Sequence, residues 1–234
     1  MSINYINNYK AIIKNIKRYE KIFNKNINLI VVSKTQSYQK IIDLKKIGQI
    51  DFGENYLDEA QDKINQIKDS SIRWHYIGKI QSNKIRAICK DFEWIHTLSS
   101  QKHAIRINNE CKEHKKIMNV CIQINIDEED SKGGILLSEY DSLSSSLIEM
   151  SNIRLRGIMT IPQADKSPLE SFSKMRDLYN RYDNLDTLSM GMSKDYLTAI
   201  ENHANMIRIG QQIFGKRFFC NSNIWTSTPN AFQK

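Results

Sequence analysis

The chain has 234 residues, enough for one large α/β domain or two small ones, with 40% hydrophobic and 26% charged residues, as in ordinary globular proteins. Its formal charge is +8, yet the lysines are spread through a Lys-, Asn- and Ile-rich sequence without a block of five or six, which argues against a nucleic-acid or membrane-surface role. No apolar run approaches the roughly 20 residues that cross a bilayer. Cys89, Cys111, Cys121 and Cys220 form no C-x-x-C pair and show no zinc-ligand spacing with the histidines, so reduced thiols in a cytoplasm are expected.

In chain order, Tyr5, Ile6, Tyr9, Ile12, Ile13 and Ile16 recur at helical spacing and predict an amphipathic N-terminal helix rather than a signal peptide. Short apolar or β-branched segments then appear at 28–34 (NLIVVSK), 49–54 (QIDFGE), 73–78 (RWHYIG) and 92–98 (FEWIHTL). They continue at 117–126 (IMNVCIQINI), 153–161 (IRLRGIMTI), 187–192 (TLSMGM) and 206–210 (MIRIG). Between them lie helical patterns. Ile41, Leu44 and Lys45 lead into a glycine C-cap at Gly48, LLSEYDSLSSSLIEM supplies a second helix, and Pro168 opens a third. His75 falls inside a predicted strand, where a satisfied core histidine is the expected reading.

Eight strands alternating with helices argue for parallel β/α connections and a single (β/α)8 TIM-type barrel, with a core over about 27–217 and a loosely ordered tail over 218–234. A doubly wound open sheet is the alternative, but it would usually carry a glycine-rich first turn, and no G-x-G-x-x-G occurs. Barrel chemistry sits at the carboxyl ends of the strands. That rule selects Lys34, Glu54, Asn55, Gly78, Asn125, Thr160, Ser189, Gly191, Ser193, Gly210 and Gln211.

A lysine at the mouth of a barrel can be desolvated until its neutral amine attacks an aldehyde, of which pyridoxal phosphate (PLP) is the commonest cofactor. A strand-end lysine that snorkels to water is the alternative. Ser189, Gly191 and Ser193 at the seventh strand, with Gly210 and Gln211 after the eighth, place hydroxyls and bare amides where barrels often hold a phosphate. Barrel closure sets strands one and eight side by side, so the amine and the anion site become neighbours. Arg208 lies two residues before Gly210 and shares its face. Its partner is either an aromatic ring nitrogen or a carboxylate such as Glu54.

The blocks VSKT (32–35), FGENY (52–56), WHYIGKIQSNK (74–84), QINIDEEDSKGGI (123–135), LRGIMTIP (155–162), LSMGMS (188–193) and IRIGQQIFGKR (207–217) together resemble the pyridoxal phosphate homeostasis protein family. Its members carry the barrel of the alanine racemase N-terminal domain. The resemblance implies that Lys34 holds PLP as a Schiff base and that Arg208 faces the pyridine nitrogen. It further implies that Ser189, Gly210 and Gln211 contact the phosphate and that Asn55 lines the pocket, with Ser193 and Met159 also carried over. It puts His75 and residues 81–84 near the mouth. The chain departs from the family pattern at Ser37 and Lys79, where proline is frequent, and at Gln211, where a hydroxyl residue is common.

Arginine only donates hydrogen bonds, so a ring nitrogen facing Arg208 stays unprotonated and the ring is a poorer sink for a carbanion. Racemisation also needs acid/base groups on both faces of the substrate carbon. In the related racemase the second group comes from a further β domain, and about seventeen residues follow the last barrel motif here. The expected function is therefore a non-catalytic PLP carrier, with an amino-acid racemase as the alternative. The expected partners are PLP and PLP-requiring apoenzymes, and the expected state is a monomer. Lys79 and Lys84 are expected to gather the phosphate at the mouth.

Overall fold

Each of the eight predicted segments contains a strand in the computed structural model, which describes residues 4–163 and 166–216. The strands are β1 (Asn28–Val32), β2 (Asp51–Glu54), β3 (Arg73–Tyr76), β4 (Trp94–Leu98), β5 (Met118–Gln123), β6 (Ile153–Met159), β7 (Thr187–Ser189) and β8 (Met206–Ile209). All neighbours pair in parallel and β1 also pairs with β8, so the sheet closes into a TIM-type barrel. Six of the strands end earlier than their apolar patterns, whereas β2 and β4 end with them at Glu54 and Leu98. In β5 the ladder stops at Gln123, because Ile124 turns away to bridge Ile135.

The helices follow the strands in turn, apart from one that precedes β1. They are α1 (Tyr5–Phe23), α2 (Tyr38–Lys46), α3 (Leu57–Ile67), α4 (Ile85–Asp91), α5 (Gln101–Glu113), α6 (Tyr140–Ile148), α7 (Pro168–Tyr179), α8 (Tyr196–Glu201) and α9 (Gln211–Phe214). Pro168 opens α7, and Gly48 follows α2 at φ +100°, where only glycine is unstrained. Ser37 stands at the N-cap of α2.

Two cores result from strand alternation. In β1, Leu29 and Val31 join the large core between strands and helices, while Ile30 belongs to a small cluster with Trp94, Cys121, Met159 and Met206 inside the barrel. Helix α1 buries Tyr9, Ile12 and Ile16 along one stripe. It docks near the β8–β1 seam, where Tyr9 Oη donates to Gln49, Asn8 Nδ2 donates to the Ile213 carbonyl and the Tyr5 ring lies 6.1 Å from Phe214. No helix of the described residues is long and apolar enough to cross a membrane. The expected tail, 218–234, lies outside the described residues, as does Arg217.

Candidate functional site

A cleft of about 580 Å³ opens at the carboxyl ends of the strands, a volume typical of small-ligand sites. Lys34, Asn55, Met159, Ser193, Arg208, Gly210 and Gln211 all line it. The β1–β8 register, with Val31 opposite Ile209, brings Lys34 and the Gly210–Gln211 turn to one stretch of the rim. Two grooves of about 650 and 600 Å³ along α1 are lined mainly by lysines and carry no comparable set of converging polar groups.

Lys34 sits in a turn that the sequence reading did not explain. Thr35 adopts φ +65°, unusual for a β-branched residue, and its N–H donates to Glu59 Oε1 at 2.5 Å. Beneath it Lys63 Nζ reaches the Ser33 carbonyl and Glu54 Oε1, both at 2.7 Å, and Glu59 Oε1 at 2.6 Å. Ser33 Oγ also donates to Glu54 Oε1. This buried ion cluster braces the residues on either side of Lys34. Burial pushes the Glu54 carboxyl above its usual range, although Lys63 and Ser33 pull it down. One signal pointed to it: Lys63 falls on the buried stripe of α3 with Leu57 and Ala60, where a charge needs a partner.

Arg208 is buried, and Glu54, one of its two expected partners, is not bonded to it. Glu54 is committed to Lys63, while Arg208 donates through Nη1 to Ser189 Oγ at 2.6 Å and through Nη2 to the Thr160 carbonyl at 2.9 Å. Burial lowers its pKa to about 10, so it remains a cation near neutral pH. Ser189 is the one expected ligand residue that does not line the cleft. Its side chain is inside the barrel, with its hydroxyl between Arg208 and His96, because β7 directs it inward below the rim.

His75 also lies away from the mouth. It is buried within the barrel, 2.9 Å from Asp51 and 3.0 Å from His96, which bears out the satisfied-core reading and corrects its place at the entrance. Residues 81–84 do not line the cleft either. Ser82 meets His103 and Lys84 meets Asp58, since this segment turns outward into α4. Besides Lys34, the lysines on the cleft wall are Lys132, Lys166 and Lys194 rather than Lys79 and Lys84. They come from the loops after β5, β6 and β7. Asp127 ties the first two loops together by accepting from Gln163 N–H and Ser171 Oγ.

On the phosphate side expected from the sequence, Gly191 takes φ +93° and Ser193 Oγ accepts the Gln212 N–H at 3.1 Å, joining the loops after β7 and β8. Gly210 caps α9: its carbonyl accepts the Ile213 and Phe214 N–H groups, and the first amide of the helix, Gln211 N–H, has no intrahelical acceptor. Asn55, also on the cleft, is only partly committed. Its Oδ1 is buried without a partner, and its Nδ2 is 3.5 Å from the Ile77 carbonyl. Gly78 permits this packing, because a Cβ there would stand 2.0 Å from the Asn55 carbonyl oxygen.

The family model for the alanine racemase N-terminal domain matches residues 8–217. The pyridoxal phosphate homeostasis protein of Escherichia coli (strain K12) is 40% identical over 201 residues, covering 82% of this chain and 86% of the relative. This chain belongs to the pyridoxal phosphate homeostasis protein family. A second family member, from Buchnera aphidicola subsp. Schizaphis graminum, is 39% identical over 224 residues, covering 91% of this chain and 98% of that one. Among solved structures, PipY of Synechococcus elongatus PCC7942, described with PLP bound, is 30% identical with a TM-score of 0.75, over 81% of this chain and 92% of that one. An alanine racemase of Clostridium difficile 630 shares the fold at 17% identity and a TM-score of 0.67, over 88% of this chain and 56% of the racemase.

Proposed function

We propose that this family member binds PLP through Lys34 and acts in vitamin B6 homeostasis as a non-catalytic carrier. The observation that carries the reading is the convergence of Lys34, Arg208 and the Gly210–Gln211 turn on one cleft whose Asn55 amide has an unused buried acceptor. These residues fit the cofactor: an amine for its aldehyde, a donor for its ring nitrogen, and amides with the Ser193 hydroxyl for its phosphate. PLP, when bound, supplies an aldehyde and an electron-withdrawing ring. Lys34 would hold the aldehyde through its amine, Arg208 would donate to the ring nitrogen and so keep it unprotonated, and Met159 and Asn55 would form the wall. The other ionisable groups on the described cleft wall are Lys132, Lys166, Lys194 and Asp195. Asp195 Oδ1 accepts the Met192 N–H.

In this reading the protein is a cytoplasmic monomer that passes PLP to apoenzymes. The test is the visible spectrum of purified protein with added PLP, followed by borohydride reduction and peptide mapping. The expected result is cofactor fixed on Lys34, lost in Lys34→Ala, with no amino acid turned over. Racemase activity that disappears with Lys34→Ala would replace the carrier by the racemase. Protein that takes up no PLP would end both readings.

A further inference from the structure

Five consecutive hydrogen-bonded links cross the barrel interior from its amino-terminal end to the cleft. Arg73 holds Asp51 bidentately, Nε to Oδ1 at 2.8 Å and Nη2 to Oδ2 at 2.7 Å. Asp51 Oδ1 lies 2.9 Å from His75 Nε2, and His75 Nδ1 is 3.0 Å from His96 Nε2. His96 Nδ1 is 3.0 Å from Ser189 Oγ, which accepts from Arg208 Nη1 at 2.6 Å. The members come from β2, β3, β4, β7 and β8, and none of the intermediate four lines the cleft.

The donor inventory gives this relay one direction. An ionised Asp51 only accepts, so His75 carries its proton on Nε2 and offers Nδ1 as an acceptor. His96 must then donate from Nε2, which leaves its own Nδ1 as an acceptor. Ser189 donates its hydroxyl proton there and keeps its lone pairs for Arg208. The opposite tautomers would bring His96 Nδ1–H onto the same oxygen as Arg208 and strand the hydroxyl proton in a fully buried site, a costly arrangement. The Trp94 ring, 5.5 Å from His75 and 18° from parallel, holds the first imidazole in plane.

We propose that Asp51, acting through His75 and His96, orders the Ser189 hydroxyl and thereby fixes the guanidinium of Arg208 toward the cleft, which makes these four positioning residues of the site. Burial lowers the pKa of both imidazoles, consistent with neutral rings near pH 7. Naming the ring nitrogen as what Arg208 meets rests on the function proposed above; the relay itself does not.

The test uses nitrogen-15-labelled protein without cofactor near neutral pH. Long-range proton–nitrogen correlation should show both His75 and His96 as Nε2–H tautomers. A proton on Nδ1 of either ring, or an imidazolium at either, overturns the proposal. Two variants then probe Arg208. Asp51→Asn presents a carboxamide that both accepts and donates, so mixed tautomers are expected at His75. Ser189→Ala removes the acceptor with little change of volume. In both, rotation about the Arg208 Cζ–Nη bonds should quicken about tenfold, as for the loss of one charge-assisted hydrogen bond. Unchanged rotation in both overturns the proposal, while a stability loss alone would not move this signal. A wild-type protein with the expected tautomers that binds no PLP would sink the proposed function and leave the relay standing.

Discussion

Lys63→Met isolates the buried ion cluster under Lys34. The methionine keeps the apolar stem and removes the ammonium, whose Nζ makes contacts of 2.7, 2.7 and 2.6 Å to Ser33, Glu54 and Glu59. The Lys63 side chain is 6% exposed and that of Glu54 is fully buried, whereas Glu59 is 27% exposed and stays solvated. Glu54 Oε2 already lacks a partner. The variant therefore leaves one buried carboxylate with a single donor, Ser33 Oγ, and the expected loss at pH 7 is about 3–5 kcal/mol. The pH dependence has a definite sign. The folded-state pKa of Glu54 is raised above the unfolded value, so its contribution to stability is full below the unfolded pKa and is lost as pH rises through the folded one. Removing Lys63 raises that pKa further. Acidification should thus recover part of the loss, by up to about 1.36 kcal/mol per pH unit while the variant's Glu54 titrates. The assay is urea unfolding of wild type, Lys63→Met and the double variant Lys63→Met/Glu54→Gln at pH 7 and pH 5. The double variant should regain most of the stability at pH 7, because no buried charge remains. A single-variant loss below about 1 kcal/mol, the size of an exposed pair, or one unchanged between the two pH values, refutes the reasoning.

Gly78→Ala should cost about 1–3 kcal/mol as an overpacked contact, since the new Cβ meets the Asn55 carbonyl oxygen at 2.0 Å. It should also weaken PLP binding by displacing Asn55; unchanged melting temperature and affinity would count against the packing argument. Charge reversal at Lys132, Lys166 and Lys194, on the cleft wall, should slow PLP association and flatten its dependence on ionic strength. The same change at Lys79 and Lys84, which do not line the cleft, should leave stopped-flow association rates as they are. The reverse pattern would show that the phosphate is gathered elsewhere.

Local pattern carries the fold because a closed parallel barrel buries its strands on both faces and its helices on one. Each strand therefore reads as a short apolar run and each helix as a stripe, so the eight strands, the N-terminal helix and the residues Lys34, Asn55, Arg208 and Gly210 at the rim were all legible. What the sequence could not rank is the interior. Ser189 and Ser193 are both serines of one seven-residue stretch, but β7 directs the first into the barrel, while the second lies in the loop after the strand and lines the cleft. His75 and His96, with Asp51, are 21 and 24 residues apart along the chain and meet only across three neighbouring strands. Lys63 and Glu54 likewise pair because α3 folds back over β2. Periodicity reports which side of an element is dry. Which buried polar groups then satisfy one another depends on strand register and barrel closure, and those arise from contacts between distant parts of the chain.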